Sequence, residues 1–325
     1  MAAAVAMLSG VGMVGGGDEG NAAQAAPYDN ASDNRGDRDY VSLVDPWVEA
    51  DIARYFFFQS ASNPFGFVKL RPDTSTHSSG GTGYRTTEND VKGFSHIHDW
   101  QFSGVQMMPT SGSSVPKTEG DTGWQSHVEH DESEVAEPGY HKLHLDRYDI
   151  TAELTVTDRV GLHRYTYGRA GQSEIIVNLG GTLGEAVMKD AQVTKVSDRE
   201  IEGYVNQHGG AYADHDTRLF FVVRFDRPFD SMHGWANGAL ARGGAAVDEL
   251  AGDNMGVYVR YNHLDAGDVV QTKVGLSLTG TQGARRNIDA ELRVGPSTTS
   301  GPRPNGTGTT CSGGSMFVAG RVSSR

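Results

Sequence analysis

The chain of 325 residues carries a formal net charge of −13, with 37% hydrophobic and 21% charged residues and 43 glycines. It is too apolar to stay disordered and too rich in glycine for a helical bundle, which leaves strands and turns. No run of Lys or Arg is present, which argues against a phosphate-binding surface, so no nucleic-acid partner is expected and a neutral ligand such as a sugar fits the charge better. The single cysteine, Cys311, excludes an internal disulfide and any multi-thiolate metal site.

The first segment, Met1 to Gly17, is small and apolar, and Ala22 to Ala26 reads AAQAA, which suits signal-peptidase cleavage. Residues 1–26 are therefore expected to be a signal peptide, without its usual basic start, and the protein is expected to be secreted to the exterior or the periplasm. No later segment is apolar for long enough to span a bilayer, so no membrane partner is expected. Residues 27–39 are polar and aperiodic and read as a linker. The folded domain is expected over 40–292.

Within it, Ile150, Ala152, Leu154 and Val156 alternate with polar neighbours, the period of a half-buried strand. Ile175–Leu179 and Leu219–Phe225 are nearly continuous apolar runs, expected of strands covered on both faces. Val270, Thr272, Val274, Leu276 and Leu278 form a second alternation. One helix is expected over Ala284–Arg293, with Ile288 and Leu292 on one face. Many strands, glycine-rich turns and one short helix define an all-β antiparallel sandwich. Residues 293–325 change to a low-complexity composition and are expected to be disordered, or the product of a frameshift.

Several blocks carry a resemblance. Asn63–Thr74 reads NPFGFVKLRPDT, Gly93–His98 reads GFSHIH, and Met108–Gly112 reads MPTSG. Glu129–Tyr140 reads EHDESEVAEPGY, and Ile150–Tyr167 reads ITAELTVTDRVGLHRYTY. In this order and spacing the chain resembles the amino-terminal domain of glycoside hydrolase family 92, from about Val44 to Leu292. The resemblance implies a large supersandwich of the galactose-mutarotase-like kind. It also implies a mannose-containing glycan as substrate, an inverting α-mannosidase reaction, and an α/α toroid domain as partner. The family's acid, base and most ligands of its calcium ion belong to that toroid, for which this chain has no residues. This chain is thus expected to be inactive alone, to contain no catalytic or metal-binding residue and no cofactor of its own, and to come from a truncated gene. The chain departs from the family pattern where Asp99, Trp100 and Gln101 follow His98, and where Val48, Glu49 and Ala50 follow Trp47.

Sugar recognition needs fixed carboxylates and amides for paired hydroxyls and an aromatic face for the ring. His96, His98, Asp99, Trp100 and Gln101 supply those types within six residues. In an extended segment His96, His98 and Trp100 share a face. The alternative is that both histidines are satisfied by backbone groups. Asp73 is a further candidate for binding a substrate hydroxyl, although Pro72 and Thr74 around it favour a turn in which the aspartate bonds its own backbone. Glu129 and Glu134 suggest an acid and base pair, but acidic stretches are usually solvated faces, so no catalysis is assigned to them. Two other readings stand beside the hydrolase fragment. One is a stand-alone carbohydrate-binding sandwich. The other is a cupin-like metalloprotein, with His96, His98, Asp99, His127, Glu129 and His130 as its shell. There is no G-x-S-x-G elbow or phosphate loop, and Gly180, Gly181 and Gly184 only approximate a dinucleotide loop.

Overall fold

The computed structural model describes residues 41–48, 50–51, 61–74, 83–98, 103–113, 115–181, 186–209 and 216–292. The leader, the linker and the tail after Leu292 lie outside the described residues.

In chain order the strands begin with β1 (Ala61–Ser62), β2 (Lys69–Asp73), β3 (Asp90–Val91), β4 (Gly93–His98), β5 (Ser103–Ser111) and β6 (Ser126–His127). The middle set is β7 (Val135–Glu137), β8 (Tyr140–Leu145), β9 (Ile150–Val156), β10 (Val160–Tyr167), β11 (Gly171–Asn178), β12 (Val187–Ser197) and β13 (Glu200–His208). The last are β14 (Asp216–Phe225), β15 (Ser231–Ala236), β16 (Ala239–Leu240), β17 (Glu249–Gly252), β18 (Gly256–Leu264) and β19 (Val269–Ser277). Helix α1 is a single turn, Asp121–Trp124, and α2 spans Thr281–Glu291.

Two large sheets result. The first has the order β1-β2-β4-β5-β11-β18-β15-β16 and the second β17-β12-β13-β14-β19-β10-β9-β8-β7, while β3 and β6 form a separate ribbon. Neighbouring strands pair antiparallel, as in β10 with β9 and β19. Apolar side chains of both sheets meet in one core that includes Phe94 and Met107 from the first sheet and Leu154, Tyr165 and Phe221 from the second. This is the sandwich that the alternation predicts: β9 is buried at every other residue over the whole of Ile150–Val156.

The outer face of the second sheet is partly covered by α2, which starts three residues earlier than its apolar face alone suggests. Ala284, Ile288 and Leu292 pack there on Val160, Leu162 and Val222. That cover explains why Val222 is buried within the continuous run of β14, while Phe220 and Arg224, beside it, keep only half-buried positions. The helix lies so close that a Cβ on Gly275 would stand 2.4 Å from the Ala284 carbonyl and 2.7 Å from Ile288 Cγ1. Charge fastens the same element: Glu200 accepts from both Arg224 and Arg285, and Glu291 accepts from Thr157 and Arg159. Leu278, expected to continue the buried face of β19, lies beyond the end of that strand and is 52% exposed. No helix among the described residues is long and apolar enough to cross a membrane.

Replacing Gly275 with Ala is expected to push α2 off the sheet and lower unfolding stability by about 1–3 kcal/mol, the usual cost of overpacking. Urea denaturation checks this, and a variant as stable as the parent would refute the close approach.

Candidate functional site

The site is built from the middle of the first sheet. Gly93 opens β4 because Gln106 of β5 lies where its side chain would be; a Cβ there would stand 2.5 Å from Gln106 Cγ. Gln106 thereby reaches Asp73 at the end of β2. The Asp73 carboxylate is fully buried and holds three partners: His98 Nε2 lies 2.8 Å from Oδ1, and Ser95 Oγ and Gln106 Nε2 donate to Oδ2 at 2.6 and 2.8 Å. His98 Nδ1 lies 2.6 Å from the Lys69 carbonyl. Gln106 Oε1 accepts from Asn178 of β11, whose Oδ1 accepts from the Gly180 amide. A polar ladder therefore runs across β2, β4, β5 and β11. Among the described residues the Asp73 carboxylate bonds not its own backbone but side chains 22 to 33 positions away, and the residue ends a strand.

His96 lies between the sheets, fully buried, rather than on a ligand-facing wall. The Val105 carbonyl can only accept, so His96 Nδ1 donates to it at 2.6 Å and Nε2 is left as an acceptor. His163 of β10 donates to that Nε2 at 2.9 Å, and its own Nδ1 accepts from the Tyr165 hydroxyl at 2.8 Å. The His96 ring fits because Gly161 faces it without a side chain; a Cβ there would lie 2.5 Å from the ring. Burial lowers His96 to about 4 and holds His163 well below the ordinary histidine value, so both rings are neutral. Asp99, Trp100 and Gln101 lie outside the described residues.

A second cluster surrounds Glu134. Its carboxylate accepts from Tyr84 at 2.5 Å, His141 at 2.8 Å and His130 at 2.7 Å. The solvated face expected of this acidic stretch is therefore corrected for Glu134, which is buried, though it holds for the exposed Glu129. Burial alone would raise Glu134, but donation from His130, His141 and Tyr84 outweighs it and brings the carboxyl down to about 2. Nothing in the sequence pairs these residues, since they come from a loop, a turn and β8. The third buried acid, Glu174, is paired with Lys117 at 2.7 Å and Arg260 at 2.8 Å.

Metal donors are few among the described residues. His127, Glu129 and Asp146 place ligand atoms within 4.8 Å of one another at the surface. One imidazole and two carboxylates do not suit calcium, which takes about six to eight oxygens, and these groups are read as solvated side chains. The cupin-like shell does not assemble, because His96 faces His163, His98 faces Asp73 and His130 faces Glu134. An open cleft of about 360 Å³ lies beside α2, lined by Phe67, Arg159, Leu278, Arg286 and Asn287 among others, with no carboxylate in its wall. Near it, the Asn63–Gly66 turn presents Phe65 fully exposed and with a left-handed φ of 62°.

These features define an antiparallel β-sandwich domain in which the buried acids among the described residues are engaged by its own donors. The sequence matches the glycosyl hydrolase family 92 N-terminal domain over residues 43–277, and the chain belongs to that family. It is 30% identical over 149 residues to an uncharacterized secreted glycosidase of Arthroderma benhamiae, a match that covers 39% of this chain and 19% of that protein. Among solved structures, a family GH92 alpha-mannosidase of Bacteroides thetaiotaomicron superposes with a TM-score of 0.70 at 22% identity, covering 78% of this chain and 35% of that one. A family GH92 inverting mannosidase of the same species gives 0.66 at 16% identity, covering 78% and 33%. The solved structures share the fold, and this chain spans about a third of their length.

For His96 the folded pKa of about 4 lies below the unfolded 6.5, so the stability it confers is complete above 6.5 and is lost as pH falls toward 4. The loss is on the order of 3 kcal/mol. Urea midpoints measured at pH 7, 5.5 and 4 are expected to fall in that order; a midpoint constant over this range would contradict a neutral buried ring.

Proposed function

We propose that this chain is the domain that shapes the sugar cleft of a secreted mannosidase-like glycosidase, while proton transfer is performed by residues of a helical partner domain. Family membership supports the glycosidase setting, and the relative named as secreted, together with the apolar leader, supports export. The mannose-containing glycan and the inverting α-mannosidase reaction come from the solved relatives' names and from the family resemblance.

The observation that carries the division of labour is the state of the buried carboxylates. Hydrolysis of a glycosidic bond needs two carboxyl groups flanking the bond, one held protonated by a raised pKa. Asp73, Glu134 and Glu174 each sit among donors or cations instead, and Glu134 is driven in the opposite direction. None of them lines the described cleft. The family resemblance assigns the calcium ligands to the partner domain, and among the described residues the surface trio His127, Glu129 and Asp146 does not suit that ion.

The polar ladder from Asn178 to Asp73 and His98 fixes the end of β4, next in sequence to the candidate residues Asp99 and Trp100. On this reading His98 and Asp73 act as its anchors, and Asp99 and Trp100 meet the sugar. His96 supports the same strand from within the core.

The isolated chain is expected to show no turnover of an aryl α-mannoside, with activity appearing when a helical domain of the family is supplied. Clear hydrolysis by the chain alone would overturn the division. A Trp100→Ala variant is expected to weaken binding of a mannose-containing glycan about tenfold, the scale of a lost aromatic contact, at an unchanged urea midpoint. Undiminished binding would remove Trp100 from the site.

A further inference from the structure

The Glu134 cluster contains one group that the sugar-cleft reading does not use. His130 lies four residues before Glu134, with its side chain 12% exposed. Its Nδ1 is 2.7 Å from Glu134 Oε2, and its Nε2 is 2.9 Å from the Glu88 carbonyl oxygen. A carbonyl oxygen and an ionised carboxylate only accept, so both bonds exist together only when both ring nitrogens carry hydrogen. We propose that His130 is a doubly protonated latch that fastens the 83–88 loop to the 130–134 turn and releases it when the ring loses a proton.

The groups around the ring make the latch specific. From its own turn Glu134 and Glu129 act on the ring, and Asp131 and Glu132 are its neighbours in sequence. The loop contributes the Tyr84 hydroxyl, 3.3 Å from Nδ1, together with Arg85 and Glu88, which pair with each other. Strand β2 contributes Arg71, whose guanidinium lies 4.5 Å from the centre of the Tyr84 ring, and β8 contributes His141. Glu134 and Glu129 favour the charged ring, whereas burial opposes it. The bond to Glu134 is the largest influence and raises His130 above the ordinary histidine value. A raised folded pKa means that the fastening is complete below about 6.5 and is lost as pH rises through the folded value.

The loop that the latch holds is itself a clasp. The Thr86 amide donates to the Ala50 carbonyl, the Thr87 hydroxyl donates to the Asp51 carbonyl, and Trp47 packs on both Tyr84 and His141. Opening it frees the chain around Trp47 from β2 and β8, with the sandwich core untouched.

The test is a titration of the full chain from pH 5 to 9.5 by nitrogen NMR of the histidine rings, with amide exchange at Thr86 corrected for intrinsic rate. The expected result is a His130 ring that is still mainly doubly protonated at pH 6.5, and opening at Thr86 that rises from about pH 6.5 up to the folded midpoint, by at most about tenfold per pH unit, the slope for release of one proton, and levels off above it. In His130→Gln, opening is expected to be independent of pH. A ring that is mainly neutral at pH 6.5, or Thr86 exchange in the parent that shows no such rise, overturns the latch. Should His130→Gln fail to fold, the ring spectra of the parent still decide.

Discussion

The two sheets are joined at their centre by a hydrogen bond between histidines, and much of the structure around it follows from keeping that bond dry. The Val105 carbonyl fixes which nitrogen of His96 carries hydrogen, and this choice dictates the state of His163 and then of Tyr165. A chain of neutral donors and acceptors ordered in this way satisfies every ring nitrogen without placing a charge in the core. Its demands reach the sequence directly: Gly161 is needed for room, and Phe94 stacks on Tyr165 to close one side. Uncharged partners suffice here, so the site tolerates complete burial.

The carboxylates follow the opposite logic. Asp73, Glu134 and Glu174 are buried with enough donors or cations to offset desolvation, and each is tied to a different group of strands. Such pairs specify geometry more than they add stability. Asp73 sets β2 against β4 and β5, Glu134 joins a loop and a turn to β8, and Glu174 joins β11 to β18 through Arg260. A carboxylate spent on fixing strands is poorly placed to give up or take a proton, which is why the chemistry of a glycosidase is assigned to other residues.

The sequence revealed the parts of this fold whose cause is periodic. The alternation of Ile150 to Val156 is the burial pattern of β9, and the turns around it mark a sandwich. Contacts between distant segments were not legible. The burial of Val222 and the glycine at position 275 depend on α2, some 60 and 10 residues further on. Leu278 continues the pattern of β19 on paper, but the strand ends at Ser277. In the site, the GFSHIH block was recognisable, while the partners of its histidines were not, because Asp73, Lys69 and His163 come from other strands. Glu134 looks like a surface acid among acidic neighbours; only the arrival of Tyr84 and His141 makes it an interior one.

Among the described residues both large sheets end in very short strands. The first is bounded by β1 and β16, of two residues each, and the second by β17 and β7, of four and three. Strands this short offer few free backbone groups to a passing chain, so lateral growth into fibrils by strand addition is disfavoured. Any clumping of the purified domain would therefore proceed through greasy side chains such as Phe65 and Leu278, and polar replacements at those two positions, rather than changes along the sheet margins, are the rational route to a better-behaved preparation.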